Sequence, residues 1–176
     1  EGCAPDRPVP VLAVHGTEDA ILHFNGGVGG IPGLTEDPGT PTTTAPPADL
    51  DGEGYPAAVA AWAERNGCDP EPTDTPLEGT TDPIVHRVYD CPAGGATEFY
   101  VVEGGGHSWP SSEFSRSIER IVGPTTFEID ATAMAWEFFQ RFRRHLGFFG
   151  TLSCAAGYGY TARTGSWKFA DYPGQR

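Results

Sequence analysis

Residues 7 to 19 read Arg7-Pro-Val-Pro-Val-Leu-Ala-Val-His15-Gly16-Thr-Glu-Asp19. The apolar run between the prolines and Gly16 shows no polar alternation, which is the pattern of a strand covered on both faces in a parallel sheet. Such a strand needs neighbours on both sides. The six residues before Arg7 cannot supply them, so the reading expects them largely from elsewhere in the protein.

From this strand outward, the composition changes at Phe24. Gly, Pro, Thr and Asp dominate as far as Gly54, and the run Thr42-Thr-Thr-Ala-Pro-Pro47 cannot bury enough apolar surface for a core. The segment is therefore expected to be a surface excursion, with 34–54 as its long loop. Pro56 then opens an expected helix to about Asn66, with Val59, Trp62 and Ala63 on one face and Gly67 as its stop. Ile84 to Tyr89 and Thr97 to Glu103 are β-rich segments around Cys91-Pro-Ala-Gly-Gly95 and are expected to be two strands joined by a turn. Asp130 is a good N-cap for a helix in which Met134, Phe138, Phe142 and Leu146 recur every four residues. Arg141, Arg143, Arg144 and His145 lie where cations favour a helix C-terminus. Residues 1–146 thus read as one unit, and 147–176 as a Gly/Tyr-rich tail, either an edge hairpin or a disordered extension.

Gly and Pro contribute 24 and 17 of the 176 residues, so much of the chain must be turn and loop. The formal charge of -13 leaves no basic field to recruit phosphates, which argues against nucleic acid or an anionic membrane as partner. No apolar run approaches the roughly 18 residues of a membrane span. The chain starts at Glu1 without an initiator Met or a signal peptide, so a segment upstream is expected to have been removed. Cys3, Cys68, Cys91 and Cys154 lack C-x-x-C spacing, which disfavours a zinc or dithiol site. Disulfides fit better. A Cys68–Cys91 bridge would close a loop of about two dozen residues and contribute about 3 kcal/mol, the alternative being two free buried thiols. The disulfide reading implies an oxidising, extracellular destination.

Two stretches carry the candidate chemistry, His15-Gly-Thr-Glu-Asp19 and Gly104-Gly-Gly-His107-Ser-Trp109-Pro. Each puts an ionisable side chain in a Gly-rich turn just beyond an expected strand, where the loops of an open α/β sheet gather at the carboxyl edge. Asp19 can accept from one imidazole nitrogen of His107 while the other faces a nucleophile, and three glycines relieve the histidine's backbone of steric limits. Asp before His is also the order of the α/β-hydrolase triad, Ser, Asp, His. Trp109 offers an aromatic wall for the acyl part of a substrate, or a packing anchor for the histidine loop. Asp49, Asp51 and Glu53 resemble a piece of a calcium loop without its full twelve-residue pattern. His15 and His23 are neither spaced nor backed by acids as a metal pair would be, and are assigned structural roles. No metal and no cofactor is expected.

The motifs together, H-G-T-E-D at 15–19, N-G-G from Asn25, A-A-W-A-E-R-N-G-C ending at Cys68, Y-D-C at 89–91, E-G-G-G-H-S-W-P at 103–110 and D-A-T-A-M-A-W-E-F-F from Asp130, resemble the polyhydroxybutyrate depolymerase and feruloyl esterase family of secreted α/β-hydrolases, in order, over about residues 3 to 146. The resemblance implies the C-terminal portion of that α/β fold, its last parallel strands plus helices, without the N-terminal strands and the nucleophile elbow. It implies that Asp19 and His107 complete a triad with a serine in an earlier G-x-S-x-G, that Cys68 pairs with Cys91, and that Cys3 pairs with an upstream partner. The expected activity is hydrolysis of carboxylic esters, feruloylated polysaccharide or polyester, through an acyl-enzyme. No G-x-S-x-G occurs in this sequence, and Ser108, Ser111, Ser112, Ser115, Ser117, Ser153 and Ser166 all lack the strand-elbow-helix context. The serine and the oxyanion hole are therefore expected from an upstream part of the same protein. This chain alone should be almost inert. The alternatives are a non-catalytic secreted module or a truncated, inactive fragment of such an esterase.

Overall fold

The structure is a computed structural model, and it describes residues 5–30 and 47–142 together with the backbone of 158–161 and 166–169. A four-stranded sheet forms its centre, built from β1 (Val11–Gly16), β2 (Thr73–Pro76), β3 (Ile84–Tyr89) and β4 (Thr97–Val102) in the order β1-β4-β3-β2. β1 runs parallel to β4, with Val11 opposite Thr97 and Gly16 opposite Val102, whereas β3 is antiparallel to both of its neighbours. The sheet is thus mixed. Its parallel pair sends the carboxyl ends of β1 and β4 to the same edge, the geometry on which the candidate site depends.

The β1 apolar run forms the expected strand. Among the described residues it pairs with β4 alone, and Val11 to Val14 are half-buried. β2 is not apparent in the sequence, since Thr-Asp-Thr-Pro is exposed throughout and has no apolar face to mark it.

Helix α1 (Tyr55–Asn66) starts with Pro56 in its first turn and ends at Gly67, whose left-handed backbone (φ 71°) returns its N–H to Ala63 and Glu64. It buries Val59 and Ala63 against one face of the sheet, where Phe24, Tyr89, Phe99 and Val101 complete a core, and Trp62 beside them is half-buried. Phe24 departs from the expected surface excursion. It is 2% exposed and stacks on Phe99 with ring centroids 5.9 Å apart, so the loop begins only after it. Residues 31–46 of that loop lie outside the described residues.

Ile84, Val102 and Ile129 form the core of the opposite face, packed against Val14, Tyr100 and Met134. Met134 belongs to α4 (Ala131–Gln140), whose N-cap Asp130 accepts from the backbone N–H groups of Thr132 and Ala133, both at 2.9 Å. The helix stops at Gln140, short of the end suggested by the four-residue repeat. Arg141, just past its end, donates from Nε to the last-turn carbonyl of Phe138 at 3.4 Å and pairs through its other end with Glu98 on β4. Arg143 to Leu146 lie outside the described residues. Between β4 and α4 run two short helices, α2 (Glu113–Ser117) and α3 (Glu119–Val122). In the tail, β5 (Tyr158–Thr161) and β6 (Ser166–Phe169) pair as a separate antiparallel two-stranded sheet.

A disulfide joins Cys68, just past α1, to Cys91, just past β3. Asn66 ties the same corner. Buried to 2%, it accepts from Val9 N–H at 2.8 Å and donates to Val9 O at 2.9 Å and to Thr97 Oγ1 at 3.0 Å, fixing the starts of β1 and β4 to the end of α1. Cys3 and Cys154 lie outside the described residues.

Candidate functional site

At the carboxyl edge of the parallel pair, the turn after β1 and the turn after β4 interlock. Thr17 N–H donates to Val102 O at 3.0 Å, Glu18 N–H to Gly105 O at 2.9 Å, and Gly104 N–H to Thr17 Oγ1 at 2.9 Å. The contact is close enough to require glycine. A Cβ on Gly16 would lie 2.1 Å from Gly105 O, and one on Gly106 would lie 2.2 Å from Val122 O. Of the three glycines before His107, only Gly104 has a positive φ (73°). Gly105 and Gly106 are there to let backbones touch, which differs from the backbone freedom suggested by the sequence.

This interlock brings the expected pair together. His107 Nδ1 lies 2.8 Å from Asp19 Oδ2, while Asp19 Oδ1 accepts from the N–H groups of Ile21 at 2.9 Å and Leu22 at 2.8 Å. Asp19 is 2% exposed, and these three donors compensate the desolvation of its carboxylate. A carboxylate can only accept, so the His107 proton sits on Nδ1. The His107 side chain is 42% exposed, and Nε2 is the nitrogen left for a partner outside this pair.

The loop beyond His107 is stapled rather than loose. Ser108 Oγ donates to Pro124 O at 2.8 Å, Gly106 N–H donates to the same oxygen at 2.9 Å, and Trp109 N–H donates to Ser115 Oγ at 3.1 Å. Ser111, a non-glycine with φ 64°, is held in that left-handed conformation by its N–H to Thr126 O and its Oγ to Ile129 O. Trp109 is half-exposed and its indole N–H donates to Thr132 Oγ1 at 3.0 Å, so the ring is both a surface beside His107 and an anchor to α4.

The sequence assigns His15 a structural role with no acid beside it, and the fold supplies the acid. Its Nε2 is 3.5 Å from Asp19 Oδ2, the same oxygen that meets His107. The ring is buried, packed at a 40° tilt against Tyr55 with centroids 3.7 Å apart, and edge-on to Phe24. Burial lowers its basicity below that of a free imidazole, the charge of His107 adds to this, and the Gly16 carbonyl and Asp19 oppose without cancelling it. Burial and the Asp19 charge together raise the Tyr55 hydroxyl.

The remaining candidates are placed elsewhere. Asp49 and Glu53 sit in a turn clasped by Asn25, whose amide donates to Asp49 O and Glu53 O and accepts from Asp49 N–H. Asp51 joins Asp74 on the buried Arg87, whose guanidinium is held even more firmly charged than usual, first by its hydrogen bonds to Asp74. These acids thus serve a turn and a cation of the fold. Among the described residues no group of three or more His, Cys, Asp or Glu is arranged to hold a metal ion, and no helix is long and apolar enough to cross a membrane.

A mixed α/β sheet with a buried aspartate and a half-exposed histidine joined at one edge is the class of arrangement defined by the geometry. Among curated proteins, the chain is similar to feruloyl esterase B from Piromyces equi, with 28% identity over 106 residues. That match covers 60% of this chain and 17% of the relative's own length. No family model matches, and no solved structure does. The likeness supports a distant esterase-like relationship.

Proposed function

We propose that this chain is the acid-and-histidine portion of a secreted carboxylic ester hydrolase of α/β-hydrolase fold, with its nucleophilic serine supplied from outside these 176 residues. The observation that carries the reading is the 2.8 Å contact between His107 Nδ1 and Asp19 Oδ2 at the carboxyl ends of two parallel strands. In this role Asp19 fixes the Nδ1–H tautomer, and His107 Nε2 takes the proton of the serine hydroxyl as it attacks the ester carbonyl. The imidazolium formed is stabilised by Asp19 and returns the proton to the departing alcohol. Water then enters by the same route, with His107 again the base, and releases the acid. Trp109, half-exposed beside the histidine, supplies an apolar wall for the acyl group.

The name of the similar esterase favours feruloyl esters, and the resemblance adds hydroxyalkanoate polyesters. The sheet leaves room for further strands: β1 has a partner on one side only among the described residues, and α4 beside it exposes Trp136 and Phe139. The disulfide accords with secretion. Loss of a triad serine removes about six orders of magnitude in rate, so the 176-residue chain alone is expected to be inert. The test is labelling by a fluorophosphonate probe. The longer protein encoded around this chain should be labelled at one serine, and the chain alone should not. A longer protein that resists labelling while still binding polyester or plant-wall polysaccharide would favour the non-catalytic module.

A further inference from the structure

Two imidazoles converge on one carboxylate oxygen, and only one of them is hydrogen-bonded to it. His107 Nδ1 is 2.8 Å from Asp19 Oδ2 and His15 Nε2 is 3.5 Å from the same atom. The tautomer of His15 follows from its other nitrogen. His15 Nδ1 lies 2.9 Å from the carbonyl oxygen of Gly16, which can only accept, so the proton of the neutral ring is on Nδ1 and Nε2 carries a lone pair. A lone pair facing a carboxylate gives no bond, which accounts for the longer separation.

We propose that His15 is a positioning residue for the Asp19–His107 pair: neutral, with its proton pinned by Gly16, it leaves Asp19 Oδ2 to His107, and when protonated it becomes a second donor to that oxygen and competes with His107 for it. The inference rests on the esterase reading only for its consequence in catalysis. The surroundings give the ring few other influences. Tyr55 from α1 packs against it at a tilt, Phe24 meets it edge-on, and the charged groups acting on it are Asp19 and His107. Burial lowers the ring's basicity and so favours its neutral form. An acid limb of activity would then contain two events, protonation of the base and capture of its aspartate by His15.

The experiment is a pH titration of the 15N-labelled 176-residue chain, following the imidazole nitrogens by long-range 1H–15N correlation, in the wild type and in His107→Gln. At neutral pH the His15 nitrogens should show the Nδ1–H tautomer. In His107→Gln the like charge is gone and Oδ2 is released, so the His15 midpoint should rise. His15→Phe, which keeps an aromatic ring against Tyr55, should remove one of two transitions from the acid limb of kcat/KM in the longer ester-hydrolysing protein. If His15→Phe fails to fold, His107→Gln decides alone, because its half-exposed site lies outside both cores. An Nε2–H tautomer for His15, or a midpoint indifferent to His107, would overturn the proposal. These nitrogen signals are read without substrate, so absence of ester hydrolysis alongside the expected titration would fail the esterase reading and leave the coupling of His15 to Asp19 standing.

Discussion

Gly16 and Gly105 meet backbone to backbone, and the placement of both candidate side chains follows from that contact. The Cβ of an alanine at 16 would fall 2.1 Å from a carbonyl oxygen that itself accepts from Glu18, so neither turn can yield without breaking the interlock. Gly16→Ala is expected to cost about 3 kcal/mol in urea denaturation and to separate His107 from Asp19. A variant as stable as wild type would show that the two turns are not held by this contact. Much at this scale is legible in the sequence. Asp19 and His107 stand out because each follows an apolar or β-rich run and a glycine. The function of each glycine is not legible, since a positive φ at Gly104 and a close approach at Gly105 and Gly106 leave the same letter in the sequence. The acid beside His15 is hidden for a related reason: its distance from Asp19 depends on the turn at Gly16, and no spacing rule encodes that.

Elements divide into those marked by a period and those held by polar clasps. α1, β3, β4 and the start of α4 are visible through apolar spacing and caps. α2 and α3, five and four residues long, are too short to show a period, and β2 has no apolar face. The sequence places the end of α4 too late because the four-residue recurrence continues beyond Gln140, while Arg141 is drawn to Glu98. That pairing joins the end of α4 to the sheet. His86 Nε2 lies 3.0 Å from the other Glu98 oxygen and its ring stacks on Tyr100. Burial would raise the Glu98 carboxyl, but the bonds from His86 and Arg141 outweigh it and hold it below the usual 4.5. A carboxylate with a depressed folded value contributes stability that is present above the unfolded value and lost as pH falls through the folded one. Glu98→Gln should therefore be less stable than wild type by about 1 to 2 kcal/mol near neutrality. In denaturation series from pH 7 down to pH 3 the two proteins should converge below about 4.5. A gap constant across that range would refute the assignment. At the same end of the sheet, on the α1 face, Cys68 and Cys91 are 23 positions apart, and replacing both with serine should cost about 3 kcal/mol. The same urea assay with and without reductant checks this, and insensitivity of the wild type to reductant would contradict it.

At the scale of the whole molecule the apolar run at Val11–Val14 is expected from sequence to be enclosed by strands on both sides, supplied largely from elsewhere in the protein, and among the described residues it pairs with β4 alone. Periodicity reports that a strand is apolar on both faces. It does not say how many strands of the sheet lie within the same stretch of chain. The match to feruloyl esterase B covers 17% of that protein. The central claim of the proposed esterase is that His107, oriented by Asp19, is the base of an ester hydrolysis. The most direct measurement is kcat/KM of the longer protein on methyl ferulate, a hydroxybutyrate oligomer and p-nitrophenyl acetate, compared with its His107→Gln variant under conditions where both are folded. The expected result is hydrolysis of at least one ester and a fall of about four orders of magnitude or more in the variant. A folded variant that retains activity within about tenfold of wild type would contradict it.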